Sequence, residues 1–402
     1  SCTTYPDGTT EKVEYDANRM PIWVQDRNGN ECSYTYDDRG NMTSATDGRG
    51  NTTEYVYDGN GNMLSFTDPL GNTTTYTYDS KGNCLTETDP NGSVTQYAYD
   101  GQGRLVSSTD AGGAVTSYEY TEAGKLVKTT DAEGNEQVFT VDGNGFNLTE
   151  SDFMGNITAY AYDTQNHVTS VTNPLGNTTT YTYDENGNQV TSTDANGNTT
   201  VYAYDASGRM ISMTNAVGST WLYAYNNNSQ TVSITDPAGG VTKTSYNAAG
   251  RTDSTIDANG NATHYVYDGV GNNTKVTDAL GNSTVNTYDQ NGNLVSVKDR
   301  NGNTTTYVYD DNNRMTSSVD ALGGTSSSTY DAVGNLVSST TAGGNTTAYT
   351  YDACSQNTSI TNARGFVTSM EYDTLGRNTS TTYADGSSVS YTYDANGQIL
   401  TA

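Results

Sequence analysis

Short runs of five or six residues, in which Tyr, Val and Leu alternate with Thr, Ser and charged side chains, fill this chain from end to end. Thr73-Thr74-Thr75-Tyr76-Thr77-Tyr78 and Cys84-Leu85-Thr86-Glu87-Thr88 are representative. Two-residue alternation rich in Thr, Tyr and Val is the mark of a strand, and no stretch carries helical spacing. Clusters such as Asp68-Pro69-Leu70-Gly71 and Asp79-Ser80-Lys81-Gly82 separate the runs. Asp or Asn first, Pro second and Gly fourth is the preference of a type I turn whose glycine supplies a left-handed conformation. The chain therefore reads as turn, strand, turn, strand.

The pattern is periodic. With the Tyr-Asp pair as positions one and two of a unit, Tyr or its substitute recurs every 21 residues from Tyr15 to Tyr393, nineteen times without insertion or deletion. Of the 33 tyrosines, eighteen hold the first position and thirteen the twentieth, a phasing that a disordered polar chain does not need. The expected organisation is one continuous array over residues 1–402, about nineteen repeats with no separate domain.

Each unit has two turns, the Tyr-Asp turn and an upstream turn ten residues later. Glycine closes the upstream turn in every unit from Gly8 to Gly386, whereas Arg19, Asn166, Ser229, Asn313 and Ser355 replace its counterpart in the Tyr-Asp turn. The upstream glycine is expected to meet the stricter backbone requirement. An odd period adds a second constraint, because a plain meander would send Tyr to opposite faces in successive units. The expected solution is a three-residue upstream loop with a Gly bulge, pairing positions twelve and sixteen, and an even four-residue Tyr-Asp loop. Tyr at position twenty then faces the apolar residue at position eight, as in Tyr55 with Leu64, Tyr97 with Val106 and Tyr202 with Ile211. Nineteen such units make an antiparallel strip of about 180 Å, too long to stay open and flat, so it is expected to coil into a spiral shell or tube. A β-solenoid with parallel stacking is the alternative.

Charge narrows the partners. A net charge of -28 argues against nucleic acid and anionic membrane and favours cations or basic partners. No run of apolar residues is long enough to span a bilayer. Without an initiator Met or leader, the chain is expected to be an internal or processed piece. Cys2, Cys32, Cys84 and Cys354 fall at four different unit positions, so they form no disulfide or metal ladder and read as small or incidental thiols.

Nothing in the register suggests catalysis. His167 and His264 sit at different unit positions and read as solvated strand histidines, and the repeated aspartates lack the unlike environments that a pair of catalytic carboxylates requires. No cofactor is expected. Asp194-Ala195-Asn196-Gly197-Asn198 and Asp299-Arg300-Asn301-Gly302-Asn303 begin like calcium loops, but Gly is fourth instead of sixth and no bidentate Glu follows, so each Asp is expected to serve its own turn. Sequons at Asn72, Asn156, Asn177 and Asn303 arise wherever the repeat places Asn before a Thr strand, and the tyrosine rows would suit glycans as a third reading.

Gly92 to Leu105 (GSVTQYAYDGQGRL) and Gly302 to Met315 (GNTTTYVYDDNNRM) resemble the RHS/YD repeat family, and the likeness extends over essentially the whole chain. Proteins with this repeat include bacterial polymorphic toxins, shell subunits of insecticidal toxin complexes, wall-associated proteins and teneurins. The resemblance implies a strip wound into a hollow cocoon, often around a toxic C-terminal domain. It implies an extracellular or cell-surface, non-enzymatic wall whose partners are an enclosed polypeptide or like subunits. An open filament or adhesin is the alternative. The repeats run on to Thr401-Ala402, so on this resemblance these residues are expected to be only the wall of such a shell. The residues expected to carry the architecture are Gly71, Gly92, Gly197 and Gly302; Tyr76, Tyr97, Tyr181 and Tyr307; and the pairs Tyr78-Asp79, Tyr99-Asp100, Tyr183-Asp184 and Tyr309-Asp310.

Overall fold

The computed structural model describes residues 1–402. It contains forty strands, from Cys2–Thr4 to Ile399–Thr401, and no helix. Except between Ser388–Ser390 and Thr392–Tyr393, consecutive strands pair antiparallel, as in Thr52–Tyr57 with Met63–Thr67 and Met63–Thr67 with Thr73–Tyr78. Thirty-eight strands form one continuous meander. The last hairpin, Thr392–Tyr393 with Ile399–Thr401, is joined to it by the Tyr391 N–H donating to the Thr379 carbonyl at 2.9 Å. Antiparallel pairing throughout removes the solenoid alternative.

Both turns close in the same way. In the upstream turn the Asp68 N–H donates to the Asn72 carbonyl and the Gly71 N–H to the Asp68 carbonyl, both at 2.9 Å. In the Tyr-Asp turn the Asp79 N–H reaches the Asn83 carbonyl at 2.9 Å and the Gly82 N–H the Asp79 carbonyl at 3.1 Å. Each is a type I turn followed by a glycine bulge, a three-residue loop. The upstream turn matches the sequence expectation; the Tyr-Asp turn is not the expected four-residue loop.

That difference shifts the register. Two odd loops would slip the meander by one residue per unit, so a further bulge is needed, and it falls at position eight. Val56 stands opposite Ser65 and Tyr57 opposite Met63, which leaves Leu64 without a partner. The same irregularity recurs at the Tyr-Asp hairpins of Tyr78, Tyr99, Tyr183 and Tyr309. Tyr at position twenty consequently meets position ten: Tyr55 faces Phe66 with ring centroids 6.2 Å apart, Tyr97 faces Ser108 and Tyr202 faces Met213. Leu64, Val106 and Ile211 are bulge residues, not cross-strand partners. Parity is still kept: on Thr52–Tyr57, Tyr55 and Tyr57 share the half-buried face, and Glu54 and Val56 project from the other.

The glycine asymmetry also has a different cause from the one expected. Gly197 has φ +83° and Gly187 φ +81°, and the five replacements adopt 60° to 70°, so both turns demand the left-handed region. Their neighbours differ. A side chain at the Tyr-Asp position finds the sixth residue of the preceding unit, as when Ser229 Oγ meets Arg209 Nη1 at 3.4 Å and Ser355 Oγ meets Asn335 Nδ2 at 3.1 Å. A Cβ on Gly71, Gly92 or Gly197 would meet nothing within 4 Å.

The wall is one sheet thick, so it has no sealed interior. Thr74 alone is buried, at 7 % exposed. Cohesion comes from 221 backbone hydrogen bonds and from side-chain contacts between adjacent repeats, a sum of near-neighbour terms. The strip curves until residues 240 to 244 apart touch. That separation is about eleven and a half repeats, or about 23 strands, which at ~4.8 Å per strand gives a coil ~110 Å around and ~35 Å across.

Candidate functional site: the turn ladder and the seam between coils

The Tyr-Asp turns build a ladder. Each opening aspartate folds back on its own turn: Asp79 Oδ1 accepts the Lys81 and Asn83 N–H groups at 2.8 and 2.9 Å, and Oδ2 accepts Asn83 Nδ2 at 2.8 Å. Asp184 repeats this with Asn186 and Asn188, and Asp100 and Asp310 take Arg104 Nε and Arg314 Nε at 2.6 and 2.8 Å. The bond from Asn83 holds the Asp79 carboxyl below the usual carboxylate range, and the Asn188 bond does the same for Asp184.

The first-position tyrosines link units. Tyr78, Tyr183 and Tyr309 donate their hydroxyls to the carbonyls of Met63, Val168 and Leu294 in the preceding unit, at 2.8, 2.7 and 3.0 Å. Tyr99 occupies the same register, opposite Leu105. Where the sixth residue of a unit is Arg or His it lies on the next tyrosine: Arg104 over Tyr120 at 5.0 Å, Arg314 over Tyr330 at 4.9 Å and His167 stacked on Tyr183 at 4.7 Å. The twentieth-position tyrosines Tyr76, Tyr97, Tyr181 and Tyr307 stand opposite Glu87, Ser108, Ser192 and Ser318. Gly71, Gly92, Gly197 and Gly302 have φ of 84°, 88°, 83° and 87°.

A second arrangement joins residues far apart in sequence. The upstream turns of the first coil, from Asp7 to Asp152, sit on the Tyr-Asp turns of the second, from Arg251 to Asn396. Three kinds of clasp recur along this seam. Asn291, Asn312 and Asn396, fourth in their units, donate Nδ2 to Asp47, Asp68 and Asp152 at 2.5, 2.5 and 2.7 Å. Asn28 and Asn91, at the tips of upstream turns, donate Nδ2 to Asp268 and Asp331 at 3.0 and 3.3 Å. Acidic tips pair with arginines, Asp7 with Arg251 at 3.1 Å and Glu133 with Arg377 at 2.6 Å. Burial at the seam opposes ionisation of Asp268, but bonds from Asn272 and Asn28 outweigh it and lower its pKa. Arg49 caps the opposing backbone, Nη1 donating to the Asp310 carbonyl at 2.9 Å.

At two points the rims touch backbone to backbone. A Cβ on Gly269 would lie 2.4 Å from the Arg27 carbonyl oxygen, and one on Gly48 2.9 Å from that of Gln290. Sequence reasoning named Asp310 for its own turn but identified none of these residues as joining two coils. The one available signal was glycine at the second place of a turn, where the repeat requires none, and Gly101 and Gly143 share that place with nothing within 4 Å of an added Cβ.

The remaining candidates fall into ordinary structural settings. His264 is an exposed strand residue, as expected, but His167 lies in a turn with Nδ1 3.0 Å from Asp163 Oδ2, a correction to its expected strand placement. Asp194 directs both oxygens at the N–H donors of Asn196 and Asn198. The sequon amides of Asn72, Asn156 and Asn303 are tied to Asp68, Asp152 and Asp299 at 2.8 to 2.9 Å. All four cysteines are free.

Comparison with known proteins gives a consistent picture. No curated protein sequence matches the chain. Among solved structures it resembles the TcdB2-TccC3 complex without its hypervariable C-terminal region, with a TM-score of 0.66 at 16% identity over 94% of this chain. A TcdB2-TccC3 structure matches with a TM-score of 0.60 at 17% identity, and a Photorhabdus luminescens Tc holotoxin pore with 0.60 at 16%, each over 98% of this chain. The chain spans 26% of the length of each of those proteins, and at these identities the likeness concerns the fold. The RHS repeat model matches at residues 57–95, 78–115, 99–136, 162–199, 183–220, 204–242, 246–283, 288–325, 330–367, 356–388 and 372–402. With more than half of its length matched and the Tyr-Asp ladder repeated throughout, the chain belongs to the RHS repeat family.

Proposed function

We propose that the chain is the wall of a hollow compartment in a secreted or surface-displayed toxin-delivery protein, acting as a container without catalysis of its own. The observation that carries this reading is the seam: a strip whose edge is clasped to its own next coil encloses space. A coil ~35 Å across leaves a bore of about 25 Å after one layer of side chains on each wall, wide enough for an extended or partly folded polypeptide. The solved Tc holotoxin structure with the same fold supports the toxin setting. Conserving one turn chemistry through every unit suits a wall better than an active site, which needs locally unlike groups. The array over residues 1–402 acts as one wall, with Gly71, Tyr78, Asp79 and their equivalents as its structural residues.

Small-angle scattering and single-particle images of the chain test the reading. A hollow cross-section with a clear bore is expected. A solid cross-section, or an extended ribbon approaching ~180 Å, would refute it.

A further inference from the structure

Five asparagines donate their amides across the seam to aspartates, and four of them stand immediately before a glycine: Asn28-Gly29, Asn91-Gly92, Asn291-Gly292 and Asn396-Gly397. The fifth, Asn312, precedes Asn313. An asparagine followed by glycine is the pair most open to attack on its own side chain, because glycine has no Cβ to keep its backbone nitrogen away from the neighbouring amide carbon. The acceptors facing the four are the carboxylates of Asp268, Asp331, Asp47 and Asp152, so the chemical state of each amide decides whether its rung attracts or repels.

We propose that these four rungs form a one-way chemical latch, in which spontaneous hydrolysis of the asparagine amide fixes the seam open once it has loosened. The backbone nitrogen of the following glycine attacks the side-chain carbonyl carbon. Its proton leaves with the amide nitrogen as ammonia, and a cyclic succinimide remains. Water then opens that ring at either carbonyl, giving aspartate or isoaspartate. The net change consumes water, releases ammonia and turns a neutral donor into a carboxylate, with nothing oxidised or reduced.

In the closed seam both reactants are held elsewhere. Gly29, Gly92, Gly292 and Gly397 donate their N–H groups to the carbonyls of Asp26, Asp89, Asp289 and Asp394 at 3.0 to 3.1 Å, and each asparagine amide is bonded to the opposite coil. The reaction therefore starts from turns that have loosened, and each event makes a reversible opening permanent. The product cannot restore the old bond: a carboxylate has no hydrogen to donate, and its oxygens would face those of the opposing aspartate across the 2.5 to 3.3 Å that the amide spanned. Isoaspartate also adds a carbon to the backbone of the turn. The latch rests on the seam and not on whether anything is enclosed, so a solid particle would end the container reading and leave the latch untouched.

Ageing the full chain in mildly alkaline buffer tests it, with peptide mass spectrometry reading amide loss and hydrogen exchange reading the seam. Asn28, Asn91, Asn291 and Asn396 should convert well ahead of Asn312, the internal control that makes the same clasp without a glycine. As they convert, peptides spanning residues 26–30 and 267–271 should exchange faster, on the order of tenfold or more, the loss of one hydrogen bond to a carboxylate. The variant Gly292→Asn/Gly397→Asn copies the natural Asn312-Asn313 pair, and Asn313 at φ 60° shows that such a turn accepts asparagine. In it Asn291 and Asn396 should keep their amides and the peptide spanning 289–293 its protection, while Asn28 and Asn91 convert as before. The variant Asn28→Asp/Asn91→Asp/Asn291→Asp/Asn396→Asp supplies the end state without ageing and should exchange rapidly at the seam from the start. Retention of all four amides, conversion of Asn312 as fast as Asn291, or a seam still protected after the four have converted overturns the proposal. So does an aspartate variant whose seam exchanges as slowly as that of the parent.

Discussion

Gly269→Ala is the sharpest probe of the seam. Its φ lies outside the left-handed region, so alanine suits the backbone itself, and the whole effect comes from the opposite coil. The new methyl would stand 2.4 Å from the Arg27 carbonyl oxygen, 2.7 Å from its carbon and 2.8 Å from Asn28 Oδ1. Restoring ordinary contact parts the rims by about 1 Å, which stretches the bond from the Gly269 N–H to Asn28 Oδ1 at 2.7 Å and that from Asn28 Nδ2 to Asp268 Oδ2 at 3.0 Å. A neutral bond contributes about 1 kcal/mol net and one to a carboxylate about 1.5 to 3, so the local loss is roughly 2 to 4 kcal/mol. Gly101→Ala is the control, at the same second place of a Tyr-Asp turn but with open space around it. There the stiffer unfolded chain should give a gain of about 0.4 to 1 kcal/mol. Hydrogen exchange read by mass spectrometry is the assay. In the Gly269 variant, peptides spanning residues 26–30 and 267–271 should exchange on the order of 30-fold or more faster, while peptides around residue 101 in its control should not accelerate. Equal exchange in both variants, or no change at residues 26–30, would show that the coils do not meet at this glycine.

Other expectations follow from the turns and the ladder. Gly197→Val forces a β-branched residue to φ +83° and should destabilise by about 2 kcal/mol or more, whereas Gly197→Asn should cost under about 1; equal melting temperatures for the two would contradict the turn geometry. Asp79, Asp184, Asp194 and Asp299 have pKa values lowered by their Asn partners, so their contribution is present above about pH 4 and is lost as pH falls through the depressed values. In high salt, where relief of the -28 charge matters little, the melting temperature should drop below pH 4, and a steady rise down to pH 3 would count against the carboxylate clasps. Tyr160 donates to Glu150 Oε1 at 2.6 Å, and this bond, with burial, pushes its phenol up to about 12. Its stabilisation should persist below about pH 10 and fade as pH rises toward 12, and an ultraviolet titration of Glu150→Gln should show one phenol moved back to lower pH. An unaltered titration curve would remove that bond from the account.

Much of the fold was legible in the sequence because turn and strand chemistry are local. The Asp68-Pro69-Leu70-Gly71 signature dictates its turn from four residues, and the alternation of Thr73 to Tyr78 dictates a half-buried strand. The register failed at one point. Position eight carries Leu64, Val106 or Ile211, ordinary strand residues, and nothing about them announces a bulge. Its need emerges only when both loops are known to be odd. The seam was illegible for another reason: the pairing of Asn91 with Asp331 depends on how much curvature accumulates over about 23 strands, and small twists per strand leave no trace in composition.

A wall one sheet thick, without a sealed interior, also has a mechanical signature. Pulled by its two ends, such a ribbon has no central nucleus whose rupture releases everything at once. It should pay out hairpin by hairpin at modest, nearly constant force, each repeat adding about 70 Å of contour. The clasped portions, up to residue 152 and from residue 251 onward, must also shed their cross-coil bonds and should resist longer than the stretch between them. Threaded from one end, the same molecule would yield like a zip fastener, giving up its length in even steps.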